Sequence, residues 1–316
     1  MNILLTGTSG FLGRFILNDL HRQGHNIIAV SRSKHQLPKG VSFYQQDLTQ
    51  DKLSLKIKEK IDLCIHLAAA NEIDCQDAKQ ALMVNAWGTK QCLELAHQAG
   101  AKRFIYFSTM RVYKAQAGMI SLDNEIDCTD DYGLTHYYAE HYVRAYQDRM
   151  NTVIIRPSNV FGSPDDLSID RWSLVPGCFC KEAVEKGSIT LRSSGKQTRD
   201  FLPIKQLLKY INALIVQRPT EPQQCFNMAS GTSMTIEEVA KIVQKAYEIE
   251  SGKTCQIDIQ SKEPKEASAI SIDIKELNKL AVTSLTQEEV KEAMLQSCRE
   301  VIKNLQTAKN ETWTDV

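Results

Sequence analysis

The chain has 316 residues with 38 basic and 38 acidic side chains, so its formal charge is zero with histidine counted neutral. That balance excludes a bulk polyanion partner, because nucleic-acid binding draws its non-specific affinity from phosphate contacts and needs a basic excess or stripe. Any bound anion must be met locally. The length predicts about two domain-sized units on a prior of about 150 residues each, and 42% hydrophobic with 24% charged residues is an ordinary globular composition.

The N-terminus opens directly on Asn2-Ile3-Leu4-Leu5-Thr6 without a basic leader, and no apolar stretch approaches the roughly 20 residues that span a bilayer. A soluble, cytoplasmic protein with no membrane partner is expected. Nine cysteines are an odd number, with no CxxC pair and no His/Cys cluster at zinc spacing. They read as free, buried thiols in a reducing compartment, and no metal site is expected.

In the first half, apolar runs too short for helices alternate with longer amphipathic segments, the rhythm of βα units. Strands are expected at Asn2–Thr6, Asn26–Val30, Val41–Tyr44, Ile61–His66, Arg103–Phe107 and Thr152–Ile155. Their continuous Ile, Leu, Val and Phe content suits a parallel sheet covered on both faces. Helices are expected from Phe11 to Gln23, closed by Gly24, from Ala78 to Ala99, closed by Gly100, and from Leu134 to Met150. After Arg156-Pro157 the rhythm breaks at Gly162, Pro164, Pro176, Gly177, Gly187 and Gly195, where a smaller interleaved unit is expected. Gln224–Met228 reads as one more core strand. Thr235 with Glu238 forms a capping-box signature for a helix through Tyr247, and the tail after Ala308 is expected to fray.

Between the first strand and the first helix stands Thr6-Gly7-Thr8-Ser9-Gly10-Phe11-Leu12-Gly13. One glycine permits a tight turn, one lets the backbone approach a pyrophosphate, and one lets helix pack on strand, while the helix N-terminus offers free N–H groups. A dinucleotide site is therefore expected. The second strand ends Val30-Ser31-Arg32-Ser33-Lys34 without the acid that would hold both ribose hydroxyls. Arg32 suits a 2′-phosphate instead, so NADP(H) is favoured over NAD(H), against a merely solvated arginine. Asp47, after the third strand, reads either as a partner of the adenine amino group or as an ordinary turn cap.

The predicted fold class is α/β: a Rossmann-like doubly wound parallel sheet with a smaller, interleaved C-terminal substrate lobe. The expected division is 1–160 plus 202–229 for the dinucleotide-binding domain, 161–201 plus 230–308 for the lobe, and 309–316 for the tail.

With this loop, later segments fall into order. His66-Leu67-Ala68-Ala69, Asn85, Phe107-Ser108-Thr109-Met110-Arg111-Val112-Tyr113, Tyr132-Gly133-Leu134-Thr135-His136, Arg156-Pro157-Ser158-Asn159-Val160-Phe161-Gly162, Gly195 to Phe201, and Phe226 to Gly231 succeed one another. From residue 1 to about 240 the chain resembles the extended short-chain dehydrogenase/reductase family, in its NAD-dependent epimerase/dehydratase branch, which acts largely on sugar nucleotides. The resemblance implies Thr109, Tyr132 and His136 as the catalytic group. It implies cofactor contacts from Gly7, Ser9, Gly10, Phe11, Leu12, Gly13, Ser31, Arg32, Asp47, Leu48, Leu67, Ala68, Ala69, Asn85, Tyr132, His136 and Pro157. Asn159, Val175 and Arg199 would line the sugar-nucleotide side, Arg199 meeting a diphosphate unless it pairs with Asp200. Trp172 and Phe179 would stack on a base or sugar, or fill core. Pro264-Lys265-Glu266 stands where a second phosphate-binding arginine is common in the family.

Physics sets the demand on the tyrosine independently. Hydride transfer at a carbinol carbon needs a group that takes or gives the hydroxyl proton, and a tyrosine does so near neutrality only if a cation stabilises its phenolate against an ordinary pKa of about 10. The family's YxxxK lysine is His136 here, which titrates near neutrality and would be partly cationic. Three readings stay open: His136 substitutes; another cation, such as the oxidised nicotinamide ring, Arg111 or Lys114, acts; or the chain is a cofactor-binding regulatory protein with lost chemistry. The expected activity is a sugar-nucleotide 4-ketoreductase, with a 4-epimerase retaining its cofactor as the alternative. A dehydratase is less supported, since Met110-Arg111 stands where such enzymes often carry Asp-Glu. Tyr138, Tyr142 and Tyr146, at spacing four, form an aromatic stripe expected to serve a homodimer.

Overall fold

Strand runs that are apolar on both faces assemble into one seven-stranded sheet. The computed structural model describes all residues except 52, 54, 115–116, 165–166, 168–171, 218–222, 261–268 and 315–316, so the segment Pro264-Lys265-Glu266 lies outside the described residues. In chain order the elements are β1 (Asn2–Thr6), α1 (Phe11–Arg22), β2 (Asn26–Ser31), β3 (Ser42–Gln45), β4 (Leu63–His66), α2 (Ala78–Ala81), α3 (Gly88–Gln98), β5 (Arg103–Phe107), β6 (Gly118–Ile120), α4 (Asp131–Ala145) and β7 (Asn151–Pro157). They continue with β8 (Asn159–Phe161), α5 (Val175–Lys186), β9 (Ser188–Leu191), β10 (Thr198–Pro203), α6 (Ile204–Val216), β11 (Gln223–Met228), β12 (Ser233–Thr235), α7 (Ile236–Ser251), β13 (Gln256–Ile259), β14 (Ile270–Ile272) and α8 (Gln287–Thr314).

Two compact units share the chain. The first holds Met1–Lys114, Leu122–Pro157 and Tyr210–Met228, and the second holds Ala115–Ser121, Ser158–Lys209 and Ala229–Val316. In the first unit the sheet order is β11-β7-β5-β4-β1-β2-β3, and every pairing within it is parallel. Strand order reverses between β1 and β4, so the loops leaving their C-terminal ends flank the switch point where open α/β sheets bind ligands. Buried Leu4, Ile28, Cys64, Cys92, Phe104, Val143 and Ile154 form one core cluster of this unit.

In the second unit, α5, α7 and α8 supply Phe179, Cys180, Val239, Val243, Val290 and Met294 to a separate core. Phe179 is buried there, and Trp172 packs on the same cluster with Lys181 over its ring at 5.7 Å. Both aromatics are therefore engaged in packing. The second unit holds a three-stranded sheet β12-β10-β8 and two short parallel pairs, β13 with β9 and β14 with β6.

Several boundaries differ from the sequence expectation. Helix α4 begins at Asp131 rather than Leu134, because Asp130 caps it by accepting the Gly133 N–H at 2.8 Å, and it ends at Ala145. The expected helix from Ala78 to Ala99 is interrupted by a π-helical stretch, Leu82–Trp87. Helix α8 runs on past Ala308 to Thr314. The capping box of Thr235 and Glu238 is formed as read. Tyr146 leaves the expected exposed stripe: it is 8% exposed and joins the core, whereas Tyr138 and Tyr142 are 48% and 37% exposed.

All nine cysteines are free, six of them buried. Burial pushes the Cys128, Cys225 and Cys255 thiols up to about 11, so they stay protonated and are poor nucleophiles at neutral pH. Among the described residues there is no cluster of metal-ligating side chains, and no helix is long and apolar enough to cross a membrane.

Candidate active site

The glycine loop is built by exclusion of side chains. Gly7 has φ +70°, and a Cβ there would lie 2.7 Å from the Ala68 backbone nitrogen. At Gly13 an added Cβ would meet the Gly7 carbonyl at 2.0 Å. Those two glycines are demanded by the fold itself. Gly10 is different: it is exposed, and an added Cβ would have one neighbour within 4 Å, the Gly7 carbonyl at 3.4 Å. The missing side chain at Gly10 thus leaves open space over the start of α1. Gly10 is also that helix's N-cap and makes no side-chain capping bond, and the first turn carries no acid. Uncapped N–H groups, a positive dipole end and an open backbone fit a dinucleotide pyrophosphate.

The loop after β4 is tied to β1 and α4. Thr6 Oγ1 accepts the Leu67 and Ala68 N–H groups, each at 3.2 Å, and contacts His66 Nδ1 at 2.6 Å. Asn85, in the π-helical stretch, accepts the Ala70 N–H at 2.7 Å and donates to Thr135 Oγ1 at 2.9 Å. Its amide is spent on positioning the loop against α4, a frequent use of π-bulges at functional sites. Leu48 is buried in the core, Ala69 is exposed, and Pro157 is partly buried at the end of β7. Asp47 Oδ1 accepts both the N–H and the hydroxyl of Thr49, at 2.9 and 2.8 Å, an Asx turn that matches its capping reading. At the end of β2, Arg32 is exposed and makes no ion pair among the described residues, while the Ser31 hydroxyl donates to the Ser33 carbonyl at 3.1 Å.

The catalytic candidates converge within the first unit. Tyr132 lies in the first turn of α4, with His136 one turn on and the two rings edge-to-face at 4.7 Å between centroids. Ser108 and Thr109 leave β5, but only one is available. Ser108 donates to Glu140 Oε1 at 2.6 Å, whereas Thr109 accepts the Arg111 N–H at 3.2 Å, which leaves its own hydrogen to donate. This separates the two neighbours by role and agrees with the choice of Thr109.

His136 overturns the expectation of partial charge. It is 2% exposed, and burial lowers its pKa from 6.5 to about 4, with the nearby Glu140 opposing and His66 reinforcing the fall. It is neutral at pH 7. Its Nδ1 bonds the buried Tyr106 hydroxyl at 2.8 Å, and its buried Nε2 has no hydrogen-bond partner among the described residues. An orphaned ring nitrogen beside Tyr132 is costly unless something satisfies it, and a ribose hydroxyl, able both to donate and to accept, fits it in either tautomer. Residues of this unit therefore fit a nicotinamide dinucleotide at both ends, the loop for pyrophosphate and His136 Nε2 for a ribose.

Sequence reasoning missed Tyr106 and Glu140. Glu140 is fully buried, yet Arg156 reaches it with two bonds of 2.8 and 2.6 Å, and Arg144 with one of 2.7 Å. Arg156 also donates to the Tyr113 hydroxyl at 2.6 Å. The signal was present: Tyr132, His136 and Glu140 repeat at spacing four and share one face of α4. Tyr106 carried none, since a tyrosine in a buried strand reads as core.

The substrate-side candidates all lie in the second unit. Asn159 Nδ2 donates to the Asp200 carbonyl at 2.8 Å, and Val175 opens α5 and packs on that unit's core. Arg199 does not pair with Asp200. The Asp200 carboxylate accepts from Ser158, from the Ser230 N–H and hydroxyl, and from the Gly231 N–H at 2.5 to 3.0 Å, while the half-buried Arg199 donates to the Thr198 carbonyl at 2.8 Å. Burial lowers the Arg199 pKa, and it has no carboxylate partner among the described residues.

Comparisons with known proteins give the family and the fold. Human (Homo sapiens) dTDP-D-glucose 4,6-dehydratase is 26% identical over 264 residues, covering 76% of this chain and 72% of the relative. Among solved structures, MoeE5 in complex with UDP-glucose and NAD superposes with a TM-score of 0.79 at 22% identity, over 96% of this chain and 100% of that one. A UDP-glucuronic acid 4-epimerase from Bacillus cereus, in complex with UDP-glucuronic acid and NAD, gives 0.77 at 21% identity over the same shares. At such identities the two structures establish the fold, a Rossmann-like α/β sheet. The family model for the NAD dependent epimerase/dehydratase family matches residues 3–229, and the chain belongs to that family of enzymes.

Proposed function

We propose that the protein transfers hydride at a hexose carbon, carbon 4, of a nucleotide-linked sugar, working as a 4-ketoreductase with NADPH. The observation that carries this reading is the pairing of Tyr132 with a buried, neutral His136 whose Nε2 lacks a partner. A bound nicotinamide supplies the hydride donor or acceptor. Tyr132 gives its hydroxyl proton to the substrate carbonyl oxygen during reduction, or takes the proton from the carbinol during oxidation. Thr109 donates its free hydrogen to the same oxygen, and His136 Nε2 holds a ribose hydroxyl. Arg199, without a carboxylate partner, is the candidate contact for the substrate diphosphate.

Preference for NADPH rests on Arg32, exposed at the end of β2 with no acid beside it to repel a 2′-phosphate. A second reading, a 4-epimerase that oxidises and re-reduces carbon 4 on retained cofactor, is favoured by the B. cereus neighbour, which is such an epimerase in complex with NAD. Incubation with NADPH or NADH and a panel of sugar nucleotides, followed by absorbance and product mass, separates the two. Net NADPH consumption identifies the reductase, and interconversion without it the epimerase. No turnover with any of the panel would leave a cofactor-binding regulatory role. Leu134, Tyr138 and Tyr142 are exposed on α4, and we read this face as a homodimer contact, tested by the mass in solution at micromolar concentration.

A further inference from the structure

A tyrosine acts as a proton carrier near neutrality only where positive charge stabilises its phenolate. The one ionisable neighbour a helical turn away, His136, carries no charge at pH 7. Lys114 is already shared between Glu125 and Asp127, each at 3.4 Å. Arg111 remains. Its guanidinium carbon lies 5.7 Å from the centroid of the Tyr132 ring, and the guanidinium pairs with Asp130. Two local features fix it there. Asp130 is the N-cap of α4, so the partner of Arg111 is anchored to the turn that carries Tyr132. Gly133 lets the chain at Arg111 approach that turn closely, since a Cβ at Gly133 would fall 2.5 Å from the Arg111 carbonyl.

We propose that Arg111 is a positioning residue that supplies Tyr132 with the positive charge which α4 itself does not provide. This rests on the reading of Tyr132 as the proton carrier. Among the described residues, the charged and titratable groups on elements packed around α4 include Asp130, Asp131, His136, Glu140 and Arg144 on α4 itself, Arg156 on β7 and bonded to Glu140, Tyr106 on β5 and bonded to His136, Asp74 and Cys75 in the 3₁₀ turn Asp74–Gln76, Lys79 on α2, and Lys90, Cys92 and Glu94 on α3. Arg144 and Arg156 are engaged by Glu140, and loss of Arg111 leaves the Asp130 carboxylate unpaired at the turn that carries Tyr132, which raises a phenol's pKa. Arg111 is about half exposed, and the effect is therefore moderate and sensitive to salt.

The test needs neither substrate nor cofactor. The protein is labelled with ¹³Cζ-tyrosine, the Tyr132 resonance is assigned with Tyr132→Phe, and its titration is followed by NMR. Arg111→Gln is expected to raise the Tyr132 midpoint by about one pH unit. Arg111→Lys, which keeps the charge, is expected to restore at least half of that shift, and 1 M salt to shrink the difference between wild type and Arg111→Gln. An unchanged midpoint in Arg111→Gln, or an equal rise in Arg111→Lys, overturns the proposal. In turnover measured in the carbinol-oxidising direction, where Tyr132 takes the proton, Arg111→Gln should lose about tenfold at neutral pH and recover as pH rises, a profile that a structural role would not produce. If no sugar nucleotide is turned over, the proposed function fails while the titration still decides the role of Arg111.

Discussion

In the loop after β1 the constraint is steric, whereas in the first two turns of α4 it is electrostatic. Gly7 and Gly13 are required because other backbone atoms occupy the space a side chain would need. On α4, space admits a histidine in place of lysine, and what changes is the charge state that burial imposes. The first region tolerates almost no substitution and performs a generic task. The second admits a different residue, and in our proposal the task is redistributed among neighbours, with the cation on a different element from Tyr132.

The sharpest way to break this contrast is Tyr132→Phe. Turnover is expected to fall by about a hundredfold to ten-thousandfold, the usual worth of a proton-transfer group, with dinucleotide affinity changed less than about threefold by the loss of one hydroxyl contact. A comparable loss of dinucleotide binding would show that Tyr132 serves the cofactor rather than the proton. Next come two glycine variants that test the steric half. Gly13→Ala should destabilise the protein by about 3 kcal/mol or more, as overpacking does, in urea unfolding. Gly10→Ala should fold with near wild-type stability but bind dinucleotide at least about tenfold more weakly, about 1.4 kcal/mol.

A third prediction concerns His136 and acid. Its pKa is depressed in the folded state from 6.5 to about 4, so the unfolded chain binds this proton more readily. The stability that depends on neutral His136 is full above about pH 6.5, falls as pH drops, and is lost through about pH 4, amounting to about 3 kcal/mol. His136→Gln, which cannot protonate, should therefore lose less stability than wild type over that window in parallel denaturant titrations. Equal slopes would mean that the histidine is more hydrated than its burial implies. The smallest effect is expected at Arg32→Ala, about a tenfold loss of NADPH affinity with NADH affinity unchanged; equal losses for both cofactors would remove the 2′-phosphate assignment.

The legible parts of this protein were those governed by local rules. Strand runs β1 to β5, β7 and β11 stood out because a parallel sheet buries both faces, and the capping box at Thr235 and Glu238 needs only four consecutive residues. The short strands β8, β9, β12, β13 and β14 carry too few residues for periodicity to register, and their partners lie far away in sequence, as with β14 and β6. At the site, Tyr132 and Thr109 could be named from motif order. The Tyr106 contact with His136 could not, because a 30-residue separation and a buried strand position give no pattern to read. The aromatic stripe on α4 failed at Tyr146 for a related reason: spacing of four slowly winds around a helix of 3.6 residues per turn, and its last member turns into the core.

By itself the sequence determined the α/β class and the glycine loop, since these follow from periodicity, turn chemistry and fixed spacing, and the resemblance carried by motif order named Thr109, Tyr132 and His136 as candidates. Only the tertiary structure decided their protonation and availability. Ser108 is engaged by Glu140 while Thr109 keeps a hydrogen to donate, Arg199 has no carboxylate partner among the described residues while Asp200 is saturated, and His136 is neutral while Arg111 lies over the Tyr132 ring. Each depends on which distant groups surround a side chain and how much water reaches it, and desolvation and charge proximity are properties of three-dimensional packing.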